Sequence, residues 1–173
     1  MRRFTVLAPV VAVVVLIAGA CTPKSPPTTT PAGSTTTITV DGEVVTVTGP
    51  AGSTVSVDSA NPATMPLIAS SYSLGALDID VSNIAAGSVA RVSIKLQTPV
   101  NAVRKLIDGN WDRFVHDGTT GATISADGLT VTLDLMDGGR GDTDNTQNGV
   151  IIDPVLIGHD AGVIPAMIDG EPF

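Results

Sequence analysis

The chain has 173 residues, enough for one domain of ordinary size with some length to spare. Nine basic side chains stand against seventeen acidic ones, a formal charge of −8, which excludes the clustered cationic surface that nucleic acid phosphates require. Aromatic residues are few (Phe4, Tyr72, Trp111, Phe114 and Phe173) and Val, Ile, Thr and Gly are plentiful, so composition favours strands and tight turns over long helices.

The first twenty residues have the layout of an export signal. Arg2 and Arg3 form a positive start, and Val6 to Ala20 is an uncharged apolar run. That run is shorter than the roughly 20 residues needed to span a bilayer, and its length suits a secretory h-region. Ala18, Gly19 and Ala20 are small, as a signal peptidase requires, and Cys21 follows directly. The run Leu16-Ile17-Ala18-Gly19-Ala20-Cys21 resembles a bacterial lipobox, with Ala18 where Leu is usual. Cys21 is also the single cysteine, so no internal disulfide can use it. The expectation is a lipoprotein signal peptide over 1–20, with Cys21 becoming the lipidated N-terminus. The resemblance implies more than one acyl chain, palmitate among them, as stable anchoring requires. Loss of Arg2 and Arg3 leaves seven basic against seventeen acidic side chains in the mature form.

Residues 21–36 read as a disordered tether. Pro23, Pro26, Pro27 and Pro31 alternate with Ser and Thr, a composition that extends and builds no core. At ~3.1 Å per residue it reaches up to about 45 Å from the lipid surface. From 37 to 158 the pattern predicts one antiparallel β-sandwich, Ig-like or jelly-roll-like, with 159–173 as a C-terminal tail. Thr37–Val40 and Val44–Thr48 flank Asp41-Gly42-Glu43, a hairpin signal. Ser53–Val57 follows the Gly49-Pro50-Ala51-Gly52 turn. Leu77–Val81, Ala90–Leu96 and Leu129–Met136 each alternate apolar with polar residues, the period of half-buried strands. Asp108-Gly109 and Asp127-Gly128 separate further strand-like runs. The fold class is therefore all-β.

One stretch resembles a known module. Leu77-Asp78-Ile79-Asp80-Val81, the turn at Gly87, Asn110-Trp111-Asp112-Arg113-Phe114, and Asp117-Gly118-Thr119-Thr120-Gly121-Ala122 lead into Asp137-Gly138-Gly139-Arg140-Gly141-Asp142-Thr143-Asp144. Asn148-Gly149-Val150-Ile151-Ile152-Asp153-Pro154 completes the pattern. Over about 75–154 this resembles the bacterial choice-of-anchor U domain. The resemblance implies an extracellular β-rich module without enzymatic activity. Val155-Leu156 departs from the glycines that usually follow Asp-Pro, and the expected N-terminal lipid takes the place of a C-terminal sorting signal.

The one cofactor candidate is calcium. Asp144, Thr146 and Asn148 carry side-chain oxygens at positions 1, 3 and 5 of an EF-hand-like loop, Gly149 permits its turn, and the Val150 carbonyl stands at position 7. Asp137, Asp142 and Asp153 are close enough in sequence to add carboxylates. Val155 occupies position 12, where the bidentate Glu belongs. The alternative is a solvated acidic loop held by turn hydrogen bonds. Arg140-Gly141-Asp142 spells an integrin-recognition tripeptide but sits within the Gly-rich turn.

Catalytic signatures are lacking in the sequence. His116 and His159 neighbour no nucleophile motif, and no phosphate-binding loop or His-Glu-x-x-His pair occurs. Trp111 and Phe114 suit either a carbohydrate-stacking platform or the core, with the core favoured. The expected function is a non-enzymatic structural or interaction module, exported and held by Cys21 on the bacterial cell membrane, facing outward. Its partner is a protein or a glycan. A glycan-binding lipoprotein and a hydrolase with an unrecognised site are the alternatives.

Overall fold

The computed structural model describes residues 33–60, 74–107 and 110–160. The expected signal, Cys21 and the tether up to 32 lie outside the described residues, as do Asp108, Gly109 and the tail from 161. Ten strands follow in chain order: β1 (Gly33–Val40), β2 (Glu43–Ala51), β3 (Thr54–Ser59), β4 (Ala76–Ser82), β5 (Val89–Lys95), β6 (Ala102–Ile107), β7 (Asn110–Arg113), β8 (Gly121–Ile124), β9 (Thr130–Met136) and β10 (Val150–Gly158). They form two five-stranded antiparallel sheets, ordered β1-β2-β5-β9-β8 and β3-β4-β10-β6-β7. The expected all-β sandwich is the observed class.

The alternation read in the sequence selects the faces. Val45, Val47, Val92, Ile94, Val131, Leu133 and Leu135 of the first sheet meet Val55, Val57, Leu77, Ile79, Val81, Ile151, Val155 and Ile157 of the second in one core. Each such side chain contributes about 1.5–3 kcal/mol on burial, so the paired inner faces dominate the stability. The first hairpin forms as expected. Val40 pairs with Glu43 across Asp41 and Gly42, whose φ of 48° and 85° give the doubly left-handed turn that matches strand twist. The Asp127-Gly128 turn likewise joins β8 to β9, with Ile124 paired to Val131.

Gly33 to Thr36, read from composition as part of a tether, belong to β1, and Val55 of β3 explains why. Thr36 Oγ1 donates to the Val55 carbonyl at 2.7 Å, and the Val55 amide donates to Ser34 Oγ at 2.6 Å. These polar residues cap the exposed edge of β3, which would otherwise offer a free ladder to another chain.

β10 lies in the middle of its sheet despite Pro154. Pairing with β6 runs only from Val155 opposite Lys105 to Gly158 opposite Ala102. At Ile152, the Asp142 carboxylate and the Thr143 amide take over that side. Pro154 sits in the gap between these two partners, so its missing N–H interrupts no ladder bond.

Phe114 joins the main core, as expected. Trp111 is buried too, at 8% exposure, but in a second cluster with Ala76, Ala102 and Leu156 on the opposite face of the second sheet. Its ladder partner Leu106 fixes that side: residues opposite one another share a face, and β6 alternates Leu106 out with Lys105 in. Asp160, just past β10, clamps the same corner, with Arg104 Nη2 on its Oδ1 at 2.9 Å and Arg113 Nε on its Oδ2 at 2.7 Å.

Candidate functional site

The Asp-rich segment between β9 and β10, the loop from β7 to β8 and the inner ends of β6 and β10 meet at one end of the sandwich. Asp137, Asp142, Asp144, Arg140 and the Lys105–Asp153 pair belong to these segments. Their geometry shows what each carboxylate is used for.

Asp137 is fully buried at the end of β9. Its Oδ2 accepts the amides of Gly87 at 2.7 Å and Gly149 at 3.1 Å, and its Oδ1 accepts that of Asn148 at 3.3 Å. One carboxylate thereby joins the β4–β5 loop to the β9–β10 loop. Gly149 can approach only because it lacks a Cβ: its φ is +79°, and a Cβ would stand 2.8 Å from the Ile84 carbonyl. Burial works against the charge of Asp137, but the amides of Gly87, Gly149, Asn148 and Val150 outweigh it and hold its carboxyl below the ordinary value.

Asp142 is spent similarly, with Oδ2 accepting the Gly138 amide at 2.8 Å and Oδ1 the Ile152 amide at 3.1 Å. Asp144 Oδ1 accepts the Thr146 amide at 2.8 Å, its Oδ2 accepts Asn148 Nδ2 at 3.0 Å, and Asn148 Oδ1 accepts the Val150 amide at 2.8 Å. Val150 itself opens β10 opposite Ser82.

Asp153 points the other way, into the core. The seven oxygen donors expected to share a calcium ion are thus divided among turn caps, a strand and the sandwich interior. No group of three or more His, Cys, Asp or Glu side chains among the described residues is placed to hold a metal. As arranged, they do not fit a calcium cage. Asp137, Asp142 and Asp144 each bind backbone N–H groups and Asp153 faces Lys105, so their oxygens are not presented to a common centre.

Arg140 closes the β7–β8 loop. Its Nη1 donates to the Thr120 carbonyl at 2.8 Å and to Asp117 Oδ2 at 3.0 Å, and its Nη2 donates to the Val115 carbonyl at 2.9 Å. The guanidinium lies 4.5 Å from the Phe114 ring centre. Asp142 is buried and Arg140 is tied to the β7–β8 loop, so the carboxylate of the Arg-Gly-Asp tripeptide is not displayed. On the outer side of the first sheet, Arg91 grips Asp134 with Nε at 2.8 Å and Nη2 at 3.1 Å. His116 joins them, its Nε2 standing 3.1 Å from Asp134 Oδ2. Its Nδ1 accepts the Gly118 amide, so Nε2 carries the proton that faces Asp134.

These bonds make the loop acid-sensitive. The Thr120 and Thr119 amides, aided by Arg140, bring the Asp117 carboxyl down to about 2. Arg91 first among its partners lowers Asp134, and Ser125 first lowers Asp127. A folded value below the unfolded one gives stability that is present above the unfolded pKa of about 3.9 and lost as pH falls through the folded value. Urea unfolding midpoints should therefore drop between about pH 4 and pH 2, and Asp117→Asn should flatten that drop. An equally steep profile in the variant would contradict the assignment. Asp78 acts in the opposite sense, raised by burial and then by Asp80 and Asp58, so its contribution is lost as pH rises.

The remaining feature was missed in the sequence. Lys105 Nζ of β6 contacts Asp153 Oδ1 of β10 inside the sandwich, at side-chain exposures of 2% and 0%. Nζ also donates to the Gly141 carbonyl at 2.5 Å and lies 5.2 Å from the Phe114 ring centre. The available signal was a lysine on the apolar parity of β6, between Val103 and Ile107.

A hollow of about 60 Å³ lies beside this region, lined by Val103, Phe114, Ala122 and Ile124 among others. Small-molecule sites usually occupy roughly 300–1,000 Å³. The class defined by these elements is an all-β sandwich whose loops are organised by buried carboxylates. No family model, curated protein or solved structure matches the chain.

Proposed function

We propose that this protein is a lipid-anchored surface module of the bacterial cell envelope, with a non-enzymatic structural or interaction role and its sandwich facing outward. The observation that supports this reading best is how the acidic residues are used. Asp137, Asp142, Asp117 and Asp134 each spend their oxygens on amides or on arginine within the fold. They build stiff loops, which serves a display or spacer domain. The resemblance of 75–154 to the choice-of-anchor U domain points the same way, and the Arg2-Arg3 start, apolar run and Cys21 supply the route to the membrane. Glycan stacking has less support, because Trp111 and Phe114 are both buried.

The anchor is tested by expressing the full chain and Cys21→Ala in a bacterium fed a clickable palmitate analogue. The wild type is expected to take up label and sediment with membranes. The variant should remain unlabelled and either stay as uncut precursor or leave the membrane fraction. Membrane retention and processing unchanged in Cys21→Ala would overturn the anchor.

A further inference from the structure

We propose that Lys105 and Asp153 condense within the folded protein to an intramolecular isopeptide bond, tying β6 to β10 covalently through the sandwich interior. The proposal is independent of the membrane anchor.

The geometry supplies the two reactants already in contact. Lys105 pairs with Val155 across the ladder, so Asp153 is its diagonal neighbour on the inner face of the same sheet. Both side chains are held by strands in the middle of a packed core, and Nζ rests on Oδ1. Contact of this kind converts a reaction between two dilute groups into one between fixed partners, where effective concentrations become very high.

The pair also differs from the other buried carboxylates among the described residues. Asp134, Asp137 and Asp142 each accept several hydrogen bonds, as a buried charge requires. Among the described residues, neither oxygen of Asp153 receives a well-formed hydrogen bond. An ionised carboxylate is poorly accommodated in such a place, whereas an acid or an amide carbonyl costs far less. Nζ is held by the Gly141 carbonyl, which fixes the nitrogen beside Asp153. Burial also pushes the Lys105 ammonium below its ordinary value and the Asp153 carboxyl above its own, each toward the neutral form that the chemistry needs.

The step balances with nothing added. A proton passes from the ammonium to the carboxylate, giving a neutral amine and a neutral acid. The nitrogen lone pair attacks Cγ, the C–N bond forms, and one Cγ–O bond breaks. The departing oxygen leaves as water, carrying its own proton and one from nitrogen. The amide that remains has its carbonyl and N–H in a region closed to solvent, so the water needed for reversal is excluded. The Nζ–H that faces Gly141 keeps its acceptor.

The test uses the full chain, purified and fully denatured. Digestion is expected to yield one branched peptide joining the Lys105 and Asp153 segments, lighter than their sum by one water. Lys105 should also resist an amine-acylating reagent under denaturing conditions. In Lys105→Met the Asp153 peptide should be linear and of full mass. A linear, acylated Lys105 peptide in the wild type would overturn the proposal, even if the intact chain had lost a water, since an Asp-Gly succinimide gives the same mass change. The wild-type peptides decide the matter whether or not the variant folds.

Discussion

Asp153→Ala is expected to lower the unfolding free energy by about 3–5 kcal/mol, and adding Lys105→Met should return part of that loss. The single change strands an ammonium in the core against Phe114, with one carbonyl, that of Gly141, left to receive it. The double change removes that charge and leaves an apolar chain of similar length in its place. Burying an unpaired charge costs more than burying none, so the double variant should be the more stable of the two. Urea denaturation at neutral pH reads the difference directly. Any covalent link between the residues is lost in both variants alike, so their difference reports the stranded charge alone. If the single variant matched or exceeded the double, Lys105 would be reaching solvent and its burial would be wrong.

Phe114→Ala should cost a similar amount, about 3–5 kcal/mol, by the loss of buried area and the cavity left behind. Phe114 is 1% exposed and sits where three segments converge: it ends the β7 edge, lies beside Lys105, and carries the Arg140 guanidinium. Its amide donates to the Val103 carbonyl and its carbonyl accepts the Ala122 amide, so the backbone at this point links the two sheets. Phe114→Leu keeps most of the apolar volume but removes the ring face, and should cost distinctly less. Thermal melting of both variants, with Arg140→Ala as reference for the guanidinium contact, separates volume from ring. Equal losses in the Ala and Leu variants would mean that the ring face, not the packed volume, carries the effect.

Much of the scaffold was legible from short-range pattern alone. Asp41-Gly42 can hardly be anything but a left-handed two-residue turn, and the structure makes it one. The alternation in Leu77–Val81, Ala90–Leu96 and Leu129–Met136 specifies which side chains face inward, since a strand has a period of two. β10 was less legible, because Asp153 and Pro154 interrupt its apolar run. Its strand character depends on having β4 on one side and, on the other, a partner that changes from β6 to Asp142 and Thr143 around the proline.

The candidate site divides the same way. The sequence showed many oxygen donors between Asp137 and Asp153 but not where they point. Asp144 was read as a metal ligand because its spacing fits a loop, and Asp137 and Asp142 because they lie close to it in sequence, yet each is aimed at backbone amides. Ser34 and Thr36 looked like tether by composition, and only the arrival of β3 beside them turns them into an edge cap.

By itself, then, the sequence determined what repeats at short range or acts through chain chemistry: the strand faces, the turn glycines, the acidity, and the apolar start ending at Cys21. Tertiary structure alone decided which strands became neighbours, which aspartates found amides, and that Lys105 and Asp153 share one dry site. The physical reason is that a side chain's charge and hydrogen bonds are set by what surrounds it, and those surroundings are supplied by residues far away in the chain.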